Sequence, residues 1–110
     1  MVRVEWAVPA VVDLQEIHDF IARDSLRYAQ ATIEKITDAA ARLARFPQMG
    51  EVLPEFRQQA YRQLVVGAYG LVYREELRSD RVIAIGAFMP PGTFRRLSRA
   101  AELILPPIQN

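Results

Sequence analysis

The chain has 110 residues, a formal net charge of +1 and 51% apolar side chains, which suits one small folded domain. At this size roughly 65% of the unfolded surface can be buried, enough for one core and too little for two. With no cysteine, disulfide frameworks and thiolate metal sites are excluded, a single histidine removes most other metal options, and no cofactor is expected. No apolar run has the length of a membrane span, and Met1 to Trp6 lacks the basic and apolar segments of a signal peptide, so a cytoplasmic protein is expected.

In chain order, Val2, Val4 and Trp6 alternate with Arg3 and Glu5, which predicts a first strand. Pro9 stands where a first helical turn tolerates it, and Val11, Leu14, Ile17 and Ile21 then share one helical face. A second helix is expected to open near Asp24 or Ser25, either of which can accept from a free N-terminal amide. It carries Leu26, Ala29, Ile33, Ile36, Ala40 and Leu43 at alternating spacings of 3 and 4, a packing seam, and ends at Phe46-Pro47. The loop from Pro47 to Ala60 contains Gly50 and Pro54 and reads as turn chemistry; Glu51 or Glu55 as a general base beside Arg62 is a second reading that the spacing does not require.

From Tyr61 to Phe88 the pattern is that of three consecutive strands. Arg62, Leu64 and Val66 alternate up to Gly67, Tyr69, Leu71 and Tyr73 alternate away from it, and Val82 to Phe88 resumes after a reversal at Arg78-Ser79-Asp80-Arg81. Alternation of this kind implies a sheet with one buried face, against which the helical hairpin should pack. The first strand should lie beside the last and in the interior, because its apolar side needs cover, and the strand Tyr61 to Val66 should form an exposed edge. Arg62 and Arg74 fall at the rim of the apolar face, to pair with Glu51, Glu55 or Glu75 or else with the carboxylate or phosphate of a partner. His18, at the edge of the first helical stripe, reads as a boundary residue.

Charge is unevenly distributed. Residues 1–60 carry a net −2 and residues 61–110 a net +3, so the sheet and tail could face something anionic or simply present an ordinary charged surface. After Pro90-Pro91-Gly92, Thr93 can cap a helix running to Leu105, with Phe94, Leu97, Ala101 and Ile104 on one face and Arg95, Arg96 and Arg99 outside.

Asp13-Leu14, Ile17, Ala29, Ile33 and Leu43 on the helices, followed by Pro47-x-x-Gly50, Pro54, Arg62, Tyr69 and Val72-Tyr73-Arg74, together resemble the RelE/ParE toxin superfamily from Trp6 to about Phe88. The resemblance implies one α+β domain over residues 1–110. Its order is strand, helix, helix and three-strand antiparallel meander, with the helical hairpin on one face of a four-stranded sheet and residues 90–110 as a C-terminal tail or helix. Ribonucleases of this superfamily cut messenger RNA with basic, tyrosine and sometimes histidine or glutamate side chains on and just after the meander, since cleavage through the 2′-hydroxyl needs a base, an acid and a cation. Where some of them have arginine after the tyrosine matching Tyr69, this chain has Gly70, and after the last strand it reads Gly86-Ala87-Phe88-Met89. Its one lysine, Lys35, and its one histidine, His18, lie on the helices.

No catalytic or metal residues are therefore assigned. The resemblance then implies a ParE-like toxin of a type II toxin-antitoxin module, acting by binding DNA gyrase and neutralised by a cognate antitoxin, ParD-like or other. It implies neither a membrane partner nor sequence-specific nucleic-acid binding. The chain departs from the commoner ParE pattern in having Phe88 near the histidine that often ends the last strand. The alternatives are a ribosome-dependent endoribonuclease of the RelE type and a non-toxic antitoxin-binding homologue. Partner binding is assigned to Arg62, Tyr73, Arg74 and Phe88 on the meander and to Phe94, Arg95, Arg96, Leu97 and Arg99 in the tail. Truncation after Pro91 is expected to abolish toxicity or antitoxin binding, and Arg95→Glu with Arg96→Glu to weaken target binding in a folded protein. Growth assays and antitoxin pull-downs on both variants check this; a charge-reversed protein as toxic and as well neutralised as the parent would reduce the tail to a structural element.

Overall fold

Arg3–Trp6 (β1) leads directly into the helix Val8–Ala22 (α1) in the computed structural model, which describes residues 1–53 and 61–88, the Leu77 side chain excepted. The Ala7 amide donates to the Ala84 carbonyl at 2.8 Å as the last rung of the strand, and Pro9 follows in the first helical turn, where its missing N–H is no loss. After a short link, Ser25 caps the helix Leu26–Ala41 (α2), its hydroxyl accepting from the Tyr28 amide at 3.1 Å. The α-helix stops at Ala41, earlier than the expected Phe46, and tightens into a 3-10 turn over Arg42–Ala44.

The strands that follow are Glu51–Val52 (β2), Tyr61–Val66 (β3), Tyr69–Glu76 (β4) and Arg81–Phe88 (β5). They form one sheet in the order β1-β5-β4-β3-β2, with β1 parallel to β5 and every other pair antiparallel. The strand-helix-helix-meander order is as expected, with two changes at the edges. β1 does lie beside β5 but at the rim of the sheet, and the two-residue β2 adds a fifth strand that pairs Glu51 with Gln63 and Val52 with Arg62. The first half of β3 is therefore covered, and among the described residues its unpaired edge shrinks to 64–66. β1 needs no interior place because Val2 and Val4 pack on Leu43, Tyr73 and Val82 from the helix side.

The reversals have clear local causes. Gly67 has a φ of 60°, the left-handed value that the first central position of a tight two-residue hairpin requires and that glycine adopts without strain. Asp80 is left-handed as well, at 52°, where the chain turns from Leu77–Ser79 into β5.

The hairpin covers one face of the sheet through small residues. Ala10, Ile36 and Ala40 on the helices meet Leu71, Ala84 and Ala87 on the strands, with Trp6, Leu14, Ile17 and Leu64 packed around them. Ala10 and Asp13 turn inward on α1 while Val11 is exposed, and Thr32 and Ala39 join the buried side of α2 while Leu26 is exposed. The expected stripe on α1 thus runs one residue off at its N-terminal end, while along α2 and its 3-10 turn Ala29, Ile36, Ala40 and Leu43 are buried as expected and only Leu26 stands out of the seam. The other face is buried too: Tyr61, Val72, Ile83, Ile85 and Phe88 cluster with Leu53, so β4 and β5 are covered on both sides instead of one.

A β-bulge makes that second cluster possible. Val72 pairs with Gly86 and Tyr73 with Ala84, which leaves Ile85 as an extra residue in β5 and shifts the alternation after it. Ala87 consequently faces the helices as Ala84 does, and Phe88 moves to the opposite side. Beyond the bulge, β1 has already turned into α1, so the Ala87 amide would lack a strand partner. The buried Asp13 carboxylate accepts from it at 3.1 Å. Asp13→Ala should cost about 1–3 kcal/mol by leaving this donor unsatisfied. Urea unfolding, together with faster hydrogen exchange of the Ala87 amide than in the wild type, checks it.

Candidate functional site

The segment leaving α2 is bolted to the sheet by one phenol. Tyr73, 0% exposed, donates to the Pro47 carbonyl at 2.7 Å and accepts from the Gly50 amide at 2.9 Å. Its cross-strand neighbour Arg62 donates to the Gly50 carbonyl at 2.7 Å, to the Gln48 carbonyl at 3.4 Å, and through Nε to Glu75 at 2.9 Å. A side chain at Gly50 would meet the Gln63 carbonyl and the Tyr73 ring at 2.8 Å, closer than real atoms approach, so only glycine lets the loop lie this near the strands. Arg62 and Glu75 are largely buried, and the pair holds two loop carbonyls besides its own charges.

On the opposite face a line of alternating charges crosses three strands. Arg74 pairs with Glu76 at 2.5 Å, Glu76 with Arg81 at 2.7 Å, Arg81 with Glu5 at 2.7 Å, and Glu5 more loosely with Arg3 at 4.0 Å. Burial works against the Glu76 carboxylate, but the hydrogen bond from Arg81 and the charges of Arg74 and Arg81 outweigh it and hold the group below its ordinary range. Arg74 and Tyr61 are both buried and stand opposite each other on β4 and β3. Burial raises the Tyr61 hydroxyl above its ordinary value, partly offset by Arg74.

The Phe88 ring lies over Gly70, its cross-strand partner. A methyl at Gly70 would stand 2.6 Å from two ring carbons. The space above Gly70 is thus filled by an aromatic ring, and any side chain there must first displace it.

Of the residues assigned to partner binding, Arg62 and Tyr73 meet at the loop anchor, Arg74 stands in the charge line, and Phe88 caps Gly70. Phe94, Arg95, Arg96, Leu97 and Arg99 lie outside the described residues, as does the proposed tail helix. Arg62 takes Glu75 from its three expected partners, whereas Arg74 takes Glu76, which sequence reasoning did not consider. Glu5, Tyr61, Glu76 and Arg81 were also not foreseen, since Arg81 and Glu5 are 76 positions apart and carry no local pattern. His18 is half-buried against Asp19 on α1, and Lys35 is exposed on α2, both on the helical layer. Among the described residues no three His, Asp or Glu side chains converge as a metal site, and no helix is long and apolar enough to cross a membrane.

With this geometry, the family model of the ParE toxin of the type II parDE toxin-antitoxin system matches residues 4–90. The chain belongs to that family. Solved structures agree on the fold. A chromosomal ParDE system from P. aeruginosa aligns with a TM-score of 0.66 at 15% identity, over 83% of this chain and 98% of that one. The RelBE2 toxin-antitoxin complex from Mycobacterium tuberculosis aligns with a TM-score of 0.60 at 20% identity, over 81% and 98%. No curated protein matches the chain. The loop anchor, the ring-capped glycine and the charge line from Arg74 to Glu5 all fall within the region that the family model spans.

Burial pushes the Tyr73 hydroxyl above its ordinary value, with the Gly50 amide and the Arg62 charge offsetting only part of this. A phenol raised in the folded state loses its proton more readily in the unfolded chain. Stability contributed by Tyr61 and Tyr73 is therefore complete below the ordinary value of 10.0 and declines as pH rises beyond it. Tyr73→Phe should lower stability by about 1–3 kcal/mol near neutral pH, because Pro47 and Gly50 lose their buried partner, and should flatten the alkaline decline. Urea midpoints measured across the alkaline range on both proteins check both expectations.

Proposed function

We propose that this ParE-family toxin acts by binding DNA gyrase and blocking replication, without cutting RNA, and that a cognate antitoxin neutralises it. What supports binding over cleavage is the packing of Phe88 over Gly70, which closes the position from which some ribonucleases of this superfamily present an arginine. The sheet arginines support the same reading. Arg62, Arg74 and Arg81 are each held by a carboxylate of this chain, so using one as a phosphate ligand would break a buried or half-buried ion pair. The exposed Arg78 stands apart from them at the turn into β5.

A toxin that works by contact needs a rigid surface more than a tuned acid and base, and the anchored loop and doubly covered central strands provide one. Purified protein should stabilise cleaved DNA when mixed with gyrase and supercoiled plasmid, visible as linear product after denaturation. It should leave ribosome-bound messenger RNA intact. Ribosome-dependent cleavage that disappears in Arg74→Ala while the variant stays folded would sink the gyrase reading.

A further inference from the structure

The turn that follows α2 displays apolar side chains on a fixed frame. Phe46 is 61% exposed and Met49 42% exposed, and with Pro47 and Gln48 they line an open hollow with mostly apolar walls. Such side chains usually sit on loose loops or fold inward; these do neither. The Met49 amide donates to the Phe46 carbonyl at 3.1 Å, Tyr73 holds Pro47 and Gly50, and Arg62 holds Gln48 and Gly50. The hollow is thus preformed, which reduces the ordering cost of filling it.

Two exposed arginines stand just ahead of the hollow in the chain. The Phe46 amide donates to the Arg42 carbonyl at 3.0 Å, so the chain is still in a helical turn, and Arg42 lies one turn before Phe46 on the same side. Arg45 caps the same 3-10 turn, its amide donating to the Arg42 carbonyl at 3.1 Å. Both are exposed, and neither forms an ion pair among the described residues, although Asp38 and Glu51 are near in sequence. We propose that the Phe46–Met49 hollow with Arg42 and Arg45 is a docking surface for an acidic antitoxin segment that inserts one apolar anchor.

Charge chooses this occupant. A second copy docking here about a two-fold axis would bring its own Arg42 and Arg45 against these, a like-charge contact. A nucleic acid could use the arginines and stack on Phe46, but Pro47 and Met49 offer no further aromatic platform for successive bases. An apolar side chain flanked by carboxylates satisfies both the hollow and the two arginines.

The inference rests on the toxin-antitoxin reading, and its test separates the two. The probe is the antitoxin expressed from the reading frame adjacent to this one, titrated against the full-length toxin. Arg42→Glu with Arg45→Glu should weaken binding about tenfold or more and flatten its salt dependence, while Phe46→Ala with Met49→Ala should weaken it about as much and leave the salt dependence in place. Circular dichroism confirms the fold of each variant, and the Met49 methyl resonance should shift on complex formation in the wild type. Unchanged affinity in both variants overturns the docking surface and leaves the toxin reading standing. Failure of the wild type to bind the antitoxin overturns both. Single-stranded RNA bound by the wild type and lost in the same variants, with antitoxin affinity unchanged, also overturns it.

Discussion

The Tyr73 hydroxyl donates to Pro47 and accepts from Gly50, and these two bonds set where the helical layer hands the chain back to the sheet. Because the phenol is buried, both loop groups would be stranded without it, and each stranded group costs as much as several surface contacts contribute. Gly50 must therefore be glycine, Arg62 can reach the same loop from the neighbouring strand, and Glu75 is drawn in to balance Arg62. The short β2 strand follows within two residues of this anchor and shields half of the β3 edge. A loop that would otherwise be a connector becomes a rigid part of the surface.

Arginine does more holding than reaching in this molecule. On the helical side Arg62 joins strand to loop, and on the other face Arg74, Glu76, Arg81 and Glu5 tie β4, β5 and β1 together. The line ties the start of β1 to the start of β5, where Arg3 stands opposite Arg81. Positive charge that looks available in the amino-acid sequence is thus largely neutralised within the described sheet. Arginine suits this role because its planar fork serves carbonyl and carboxylate acceptors at once.

The bulge at Ile85 sets the packing on both faces of the sheet. By shifting the phase of β5 it sends Ala87 to the helices, lets Asp13 satisfy the Ala87 amide, and turns Phe88 over Gly70. One inserted residue therefore decides which side chain covers Gly70. The same shift completes the second apolar cluster, so the central strands are held from both sides.

Much of the architecture was legible in the chain itself. The alternation from Tyr61 to Phe88, Pro9 at the head of α1, Ser25 as a cap and the glycine at the hairpin are local signals, because backbone geometry and period-two or period-3.6 burial act over a few residues. The order of motifs carried the family. Other features could be decided only in three dimensions: β1 at the rim, β2 as a fifth strand, Asp13 in the core in place of Val11, and Phe88 on the far face. Alternation predicts which residues share a face only while the register is unbroken, and a bulge is invisible until the partner strand is present. Ion partners are also hidden, since Glu5 and Arg81 are joined by pairing across 76 positions and by nothing in their neighbours.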